Sequence, residues 1–312
     1  MSVPTVAVVG PTASGKSSVA MAAAREFGDV ELVSVDSMQV YRGMDIGTAK
    51  PSPADRAAVP HHLIDLVAPD AEFAVAEFQR AYRDVIAEID GRGSTAILVG
   101  GTGLYHRAVI DDLDLPGEWP DVRARLMNEA DTIGAEAVYT RLATLDPDAA
   151  AKMEPTNVRR IVRALEVIEQ TGRPFSSFGP GLQEYPPTPI VQVGIRWDRA
   201  VLTERIEQRV HRMISDGLVG EVDTILAGGG FSRSAGQALG YREIAAHLCG
   251  ETELDEAIEQ IVVRTRRFAV RQLRWFGRDP RVTWVDVESD PVAEATPAVV
   301  AACGSVRAAA GS

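Results

Sequence analysis

Cysteine is scarce in this 312-residue chain, and its two copies, Cys249 and Cys303, have neither metal-ligand nor redox-pair spacing. That excludes a disulfide scaffold and suits a reducing compartment, so a cytoplasmic location is expected. The five histidines (His61, His62, His106, His211, His247) form no ligand spacing. No run approaches the roughly 18 apolar residues of a membrane-spanning helix, so no membrane association is expected. No basic segment precedes the first apolar stretch, which reads as a core strand and not a signal peptide. Internal repeats are absent. Basic residues are outnumbered by acidic ones, 32 to 44, for a formal net charge of −12. Such an excess argues against a nucleic-acid partner unless the basic residues gather into a local patch. What is present is ordinary for a globular protein, with 46% hydrophobic and 24% charged residues.

The most informative stretch runs from Val6 to Ser17. A short apolar run leads into Gly10, Pro11, Thr12, Ala13, Ser14, Gly15, Lys16 and Ser17, and an alanine-rich helical pattern follows to Phe27-Gly28. This is G-x-x-x-x-G-K-[ST] in the strand–loop–helix order that the phosphate-loop motif requires. Its glycines let successive N–H groups and a helix N-terminus converge on an anion. Lys16 adds a point charge for terminal phosphate oxygens, and the Ser17 hydroxyl can ligate Mg²⁺. The loop is expected to bind a di- or triphosphate.

Val30–Val35 reads as a second strand ending at Asp36, Ser37, Met38 and Gln39, and Thr95–Gly100 as a third. Residues 41–70 read mostly as loop, and 73–89 has helical spacing. The βα alternation stops near Leu113–Pro120 and only helical pattern follows to about residue 171. An irregular return through Gly179-Pro180-Gly181 and Tyr185–Pro189 precedes a strand at 190–195 and a helix over 201–214. The expected fold class is α/β, a P-loop NTPase-like parallel sheet core with an inserted helical domain. Its core comprises 1–115 and 189–285, the insertion 116–188, and a loosely attached C-terminal tail 286–312.

The default ligand of such a loop is ATP or GTP, in hydrolysis or in phosphoryl transfer by a kinase. Those enzymes usually hold Mg²⁺ through an acid ending an apolar strand, whereas Ala96–Val99 runs into Gly100-Gly101-Thr102. The acid sits instead at the end of strand two, as Asp36, on the side of the sheet edge where ligands collect. A carboxylate there suits hydrogen bonding to, or deprotonating, a neutral amine or hydroxyl nucleophile; a loop-stabilising or N-cap role is the alternative.

In the helical pattern from Glu256 to Phe276, Arg264, Arg267, Arg271, Arg274 and Arg278 share one face beside an apolar stripe, with Arg266 nearby. No acid is interleaved among them, which favours contact with a phosphate backbone over pairing along the helix.

Gly10–Ser17, Asp36–Tyr41, Gly43–Pro51, Pro60–Asp65, Val99–Tyr105, Arg163–Val167 with Thr171-Gly172, and Gly240–Glu243 together resemble the tRNA dimethylallyltransferases. The resemblance runs in order from residue 5 to about 282. It implies transfer of a dimethylallyl group from dimethylallyl diphosphate to the N6 amine of the adenosine 3′-adjacent to the anticodon. Asp36 and Thr102 would be catalytic, and Mg²⁺ the cofactor. Arg209 would join the phosphate loop on the diphosphate. The anticodon stem-loop would meet Asp36, Ser37, Met38, Gln39, Thr102, Arg123, Arg159, Arg160, Arg163, Tyr241, Arg267, Arg271 and Gln272, and the enzyme would act as a monomer. Val270 and Gly277 depart from the family pattern at positions where Lys and Arg are common. The alternatives are an isopentenyltransferase acting on free AMP, ADP or ATP, which needs neither the basic helix nor the insertion, a P-loop small-molecule kinase, and a non-catalytic tRNA-binding protein.

Overall fold

The computed structural model describes residues 3–179, 181–182 and 184–311. Six strands, β1 (Thr5–Val9), β2 (Val30–Val35), β3 (His61–His62), β4 (Thr95–Gly100), β5 (Val191–Trp197) and β6 (Val282–Val287), form one sheet. Their order is β3-β2-β4-β1-β5-β6 and every pairing is parallel. A parallel sheet covered on both faces needs apolar residues at consecutive positions, and β1 and β2 are buried throughout. The period of two then sorts the side chains. Val6 and Val8 join Ile97, Val193 and Ile195 in one core, while Ala7 and Val9 join Val33, Val35 and Leu98 in the other.

Helix α1 (Lys16–Phe27) follows β1, α2 (Pro53–Ala58) and α3 (Val75–Gly91) lie between β2 and β4, and α4 (Gly103–Ile110) follows β4. The chain then forms α5 (Pro120–Ile133), α6 (Ala135–Leu145), α7 (Pro147–Ala151) and α8 (Val158–Thr171). These belong to a separate compact unit, Asp111–Pro186, interrupting a first unit made of Met1–Ile110 and Pro187–Ser312. The second unit has its own core, centred on Leu126, Val138, Leu142, Ile161 and Leu165. Pro180, part of the expected irregular return, lies outside the described residues. The first unit resumes with β5, α9 (Arg199–Ser215), α10 (Leu218–Ala227), α11 (Tyr241–Leu248), α12 (Leu254–Phe276), β6 and α13 (Pro291–Ala310).

The expected loose tail at 286–312 is not what the structure contains. β6 runs to Val287 as a paired edge strand, and α13 buries Ala295, Val299, Ala302, Cys303 and Val306. They share a core with Val19, Ala23 and Ala24 of α1 and with Val6 and Val8 of β1. The small side chains that made this segment look uncommitted are what allow two helices to approach closely. Burial also pushes the Cys303 thiol up to about 11, which keeps it unreactive. Val299→Asp should therefore lower the unfolding free energy by more than about 3 kcal/mol in a urea titration. A change within about 0.5 kcal/mol would return the segment to a loose tail.

Candidate active site

β1 delivers the chain into the loop that precedes α1. Gly15 has φ 92° and Ala13 φ 62°, a left-handed conformation that an alanine adopts only when its surroundings hold it there. Three side chains do the holding. The Thr12 N–H donates to Gln272 Oε1 at 2.8 Å, Arg205 Nε donates to the Ala13 carbonyl at 3.0 Å, and Trp197 Nε1 donates to the Ser14 carbonyl at 2.9 Å. The Arg205 guanidinium lies over the Trp197 ring, 4.2 Å from its centroid. No side chain caps the N-terminus of α1, so its leading N–H groups remain for an anion. Ser17 is exposed on that first turn, and Ser14 Oγ is buried without a partner among the described residues.

The charges at the loop are mutually arranged. Lys16 Nζ donates to the Pro11 carbonyl at 2.6 Å. Burial of its ammonium, reinforced by repulsion from Arg209 and opposed by Asp36, lowers its pKa to about 7. Burial also lowers that of Arg209, again opposed by Asp36. Lys16, Arg209 and Asp36 therefore interact across one site. Asp36 Oδ1 accepts the Met38 N–H at 2.8 Å, a local turn that orients the carboxylate. The loop-stabilising role weighed for Asp36 is thus real, and it uses one of the two carboxylate oxygens. Thr102 Oγ1 accepts the Ser37 N–H at 3.2 Å, which ties the start of α4 to the Asp36–Gln39 turn.

The missing acid at the end of β4 has a steric cause. A Cβ on Gly100 would stand 2.0 Å from the Val35 carbonyl oxygen, and one on Gly101 would stand 2.2 Å from Gln272 Nε2. At Gly100 no side chain fits unless the β2 backbone shifts, and at Gly101 one fits only if the Gln272 amide moves.

These groups line a crevice of about 1220 Å³ with Asp36, Lys16, Ser17, Arg205, Arg209 and Gln272 on its walls. Met21, Ile46, Val99, Met213, Phe268 and Val292 supply apolar surface. One wall carries Lys50, nearly inaccessible and paired to Asp45 at 2.8 Å and Asp65 at 2.6 Å. Burial alone would raise the Asp65 carboxyl, but Lys50 and Arg56 outweigh it and hold the carboxyl low.

Several residues expected to contact RNA already have partners within the chain. Tyr241 is fully buried, and its hydroxyl donates to Glu221 at 2.5 Å. Glu221 also accepts the Asp45 and Ile46 N–H groups at 3.0 and 2.8 Å, so the pair holds the crevice wall. Gln272 is buried between Thr12 and the Gly101 carbonyl. The Gln39 amide is spent on Ser34 Oγ and the Thr48 carbonyl. In the second unit Arg123 and Arg163 both bond the fully buried Glu166, at 2.7 and 2.8 Å, because a buried carboxylate needs charged partners. Arg264 pairs with buried Glu243 at 2.6 Å and Arg266 with Glu207 at 2.7 Å, so acids from neighbouring helices supply what the arginine-bearing part of α12 lacks. Arg159, Arg160, Arg267 and Arg271 are exposed. Trp197 and Arg205 were not anticipated. Their only signals were a tryptophan ending the strand beside β1 and an arginine one turn before Arg209.

A family model described as IPP transferase matches residues 39–279. A tRNA dimethylallyltransferase of Nocardioides sp. is 49% identical over 300 residues, 96% of each chain. One from Streptomyces coelicolor is 50% identical over 281 residues, 90% of this chain and 89% of that one. Among solved structures, the full-length tRNA isopentenylpyrophosphate transferase of Bacillus halodurans superposes with a TM-score of 0.71 at 38% identity, covering 99% of each chain. A eukaryotic dimethylallyltransferase acting on tRNA gives 0.76 at 25% identity, covering 95% of this chain and 78% of that one. With the family model spanning most of the sequence and relatives matching nearly all of it, the chain belongs to the IPP transferase family.

Proposed function

We infer that this enzyme transfers a dimethylallyl group from dimethylallyl diphosphate to N6 of the adenosine 3′-adjacent to the anticodon in tRNA, releasing diphosphate. The observation that carries this reading is Asp36 facing Lys16 and Arg209 across a phosphate loop whose neighbouring strand end has no room for an acid. The leading N–H groups of α1, Lys16 and Arg209 hold the diphosphate and stabilise the charge that collects on it as the bond from the prenyl carbon to oxygen breaks. Adenine N6 is a weak nucleophile because its lone pair is delocalised into the ring. The free oxygen of Asp36 accepts the N6 proton as the new carbon–nitrogen bond forms. The Ser37–Thr102 bond fixes the turn that aims Asp36, so proximity replaces random encounter. The base must leave the anticodon-loop stack to arrive there, and Ser37 and Met38 stand beside it.

The donor set fits Mg²⁺, a hard ion that takes one or two protein oxygens and fills its shell with phosphate oxygens and water. The exposed Ser17 hydroxyl would hold it, and the ion would neutralise charge on the leaving diphosphate. Arg267 and Arg271, exposed on α12 with no acid paired to either among the described residues, supply phosphate-backbone contacts, joined by Arg159 and Arg160 of the second unit. An asymmetric tRNA substrate suits a monomeric enzyme, and the chemistry suits the cytoplasm where tRNA is matured.

Labelled dimethylallyl diphosphate offered with tRNA or with AMP tests the assignment: label entering AMP alone overturns it, and ATP consumption without prenyl transfer points to a kinase. Asp36→Asn should lower kcat by about 10²-fold or more with tRNA affinity preserved, and near-normal turnover would remove Asp36 from proton transfer. Because Lys16 titrates near 7 and a bound anion favours its charged form, diphosphate affinity should be full below pH 7. It should fall by up to about tenfold per unit above it. Calorimetry should detect proton uptake on binding at pH 8, and affinity constant from pH 6.5 to 8.5 would refute the coupling. Arg267→Ala with Arg271→Ala should weaken tRNA binding and reduce the slope of log K against log salt by about 1.5–2; an unchanged slope would take α12 out of the RNA contact.

A further inference from the structure

The loop that receives the diphosphate is held only in part by its own residues. Its conformation includes a left-handed alanine, Ala13, immediately before Ser14 and Gly15, and the Pro11 carbonyl accepts the Ser14 N–H at 3.3 Å and Lys16 Nζ at 2.6 Å. No such bond within the loop orients the next peptide, between Ser14 and Gly15, and its restraint comes from behind. Trp197, buried at the end of β5, directs its indole N–H into the Ser14 carbonyl at 2.9 Å. One turn into α9, Arg205 directs Nε into the Ala13 carbonyl at 3.0 Å and stacks on the same indole.

The consequence follows from the planarity of the peptide group. All peptide bonds described are trans, so a carbonyl and the N–H of the next residue point in opposite directions. Pinning the Ser14 carbonyl toward Trp197 turns the Gly15 N–H the other way, and Gly15 lines the crevice. A flip of this peptide would present a carbonyl to the diphosphate in place of a donor, exchanging attraction for repulsion. Burial lowers the pKa of the Arg205 guanidinium, but an arginine stays charged throughout the physiological range, so its donor to Ala13 persists.

We propose that Trp197 and Arg205 are positioning residues for the prenyl diphosphate, holding the 13–15 peptides in the orientation that presents the Gly15 N–H to the leaving group. The proposal rests on the prenyl-transfer reading for the identity of the ligand. The orientation argument itself applies to any diphosphate in the loop.

Trp197→Phe keeps an aromatic surface for Arg205 and removes only the donor. Binding of inorganic diphosphate, measured by calorimetry, should weaken roughly five- to twentyfold, with a similar rise in KM for dimethylallyl diphosphate. KM for tRNA should be unchanged. A general loosening of the fold would move both KM values and kcat together, so the split separates positioning from bulk stability. Arg205→Lys keeps the positive charge at the crevice and removes the planar stack and the Nε donor. It should weaken diphosphate binding as Trp197→Phe does, and it stands in if that variant does not fold. Diphosphate affinity equal to wild type in Trp197→Phe overturns the proposal for Trp197. Full affinity in Arg205→Lys makes Arg205 a simple charge. Failure of the prenyl-transfer reading would appear separately, as wild-type protein that binds diphosphate but transfers no label to tRNA.

Discussion

The site depends on how tightly the C-terminal ends of β2 and β4 are drawn together. With only hydrogen on Gly100, the Val35 carbonyl can lie where a Cβ would stand 2.0 Å away. β2 can therefore bring Asp36 to the same sheet edge from which β1 launches the phosphate loop. Any side chain at 100 would wedge the two strands apart, and the carboxylate would lose its place opposite Lys16 and Arg209. The fold thus excludes the acid typical of an NTPase at one strand end and supplies a different acid at the neighbouring one.

The parts of this arrangement written in contiguous residues were legible from the sequence. The phosphate loop, its flanking strand and helix, Asp36 after β2 and the helical insertion all follow from local pattern. Roles that depend on distant partners were not. Tyr241, Gln272, Arg123 and Arg163 carry polar groups that look available, and only the fold reveals that Glu221, Thr12 with Gly101, and Glu166 already engage them. Trp197 meets the loop across 183 residues of chain. The C-terminal segment misled for a different reason, since a run of alanine and valine reads as weak core material until a helix of equally small residues, α1, is placed against it.

The same sorting resolves the apparent conflict between an acidic protein and a polyanionic substrate. Arginines are not a uniform reservoir of positive charge here. Arg264, Arg266, Arg123 and Arg163 are matched to carboxylates at 2.6–2.8 Å. Arg267 and Arg271 have no such match among the described residues. Average charge describes the whole surface, whereas Arg267 and Arg271 concentrate unmatched guanidinium groups on one face of α12.

Arg271 and Gln272 are consecutive residues of α12, one exposed to solvent and the other buried against the phosphate loop. A helix turns by about 100° per residue, so a single insertion or deletion between Arg264 and Gln272 would rotate one set of contacts away while leaving the other in register. Away from Arg267 and Arg271, this stretch of α12 can tolerate changes of residue type on its solvent face, but it cannot tolerate a change of length.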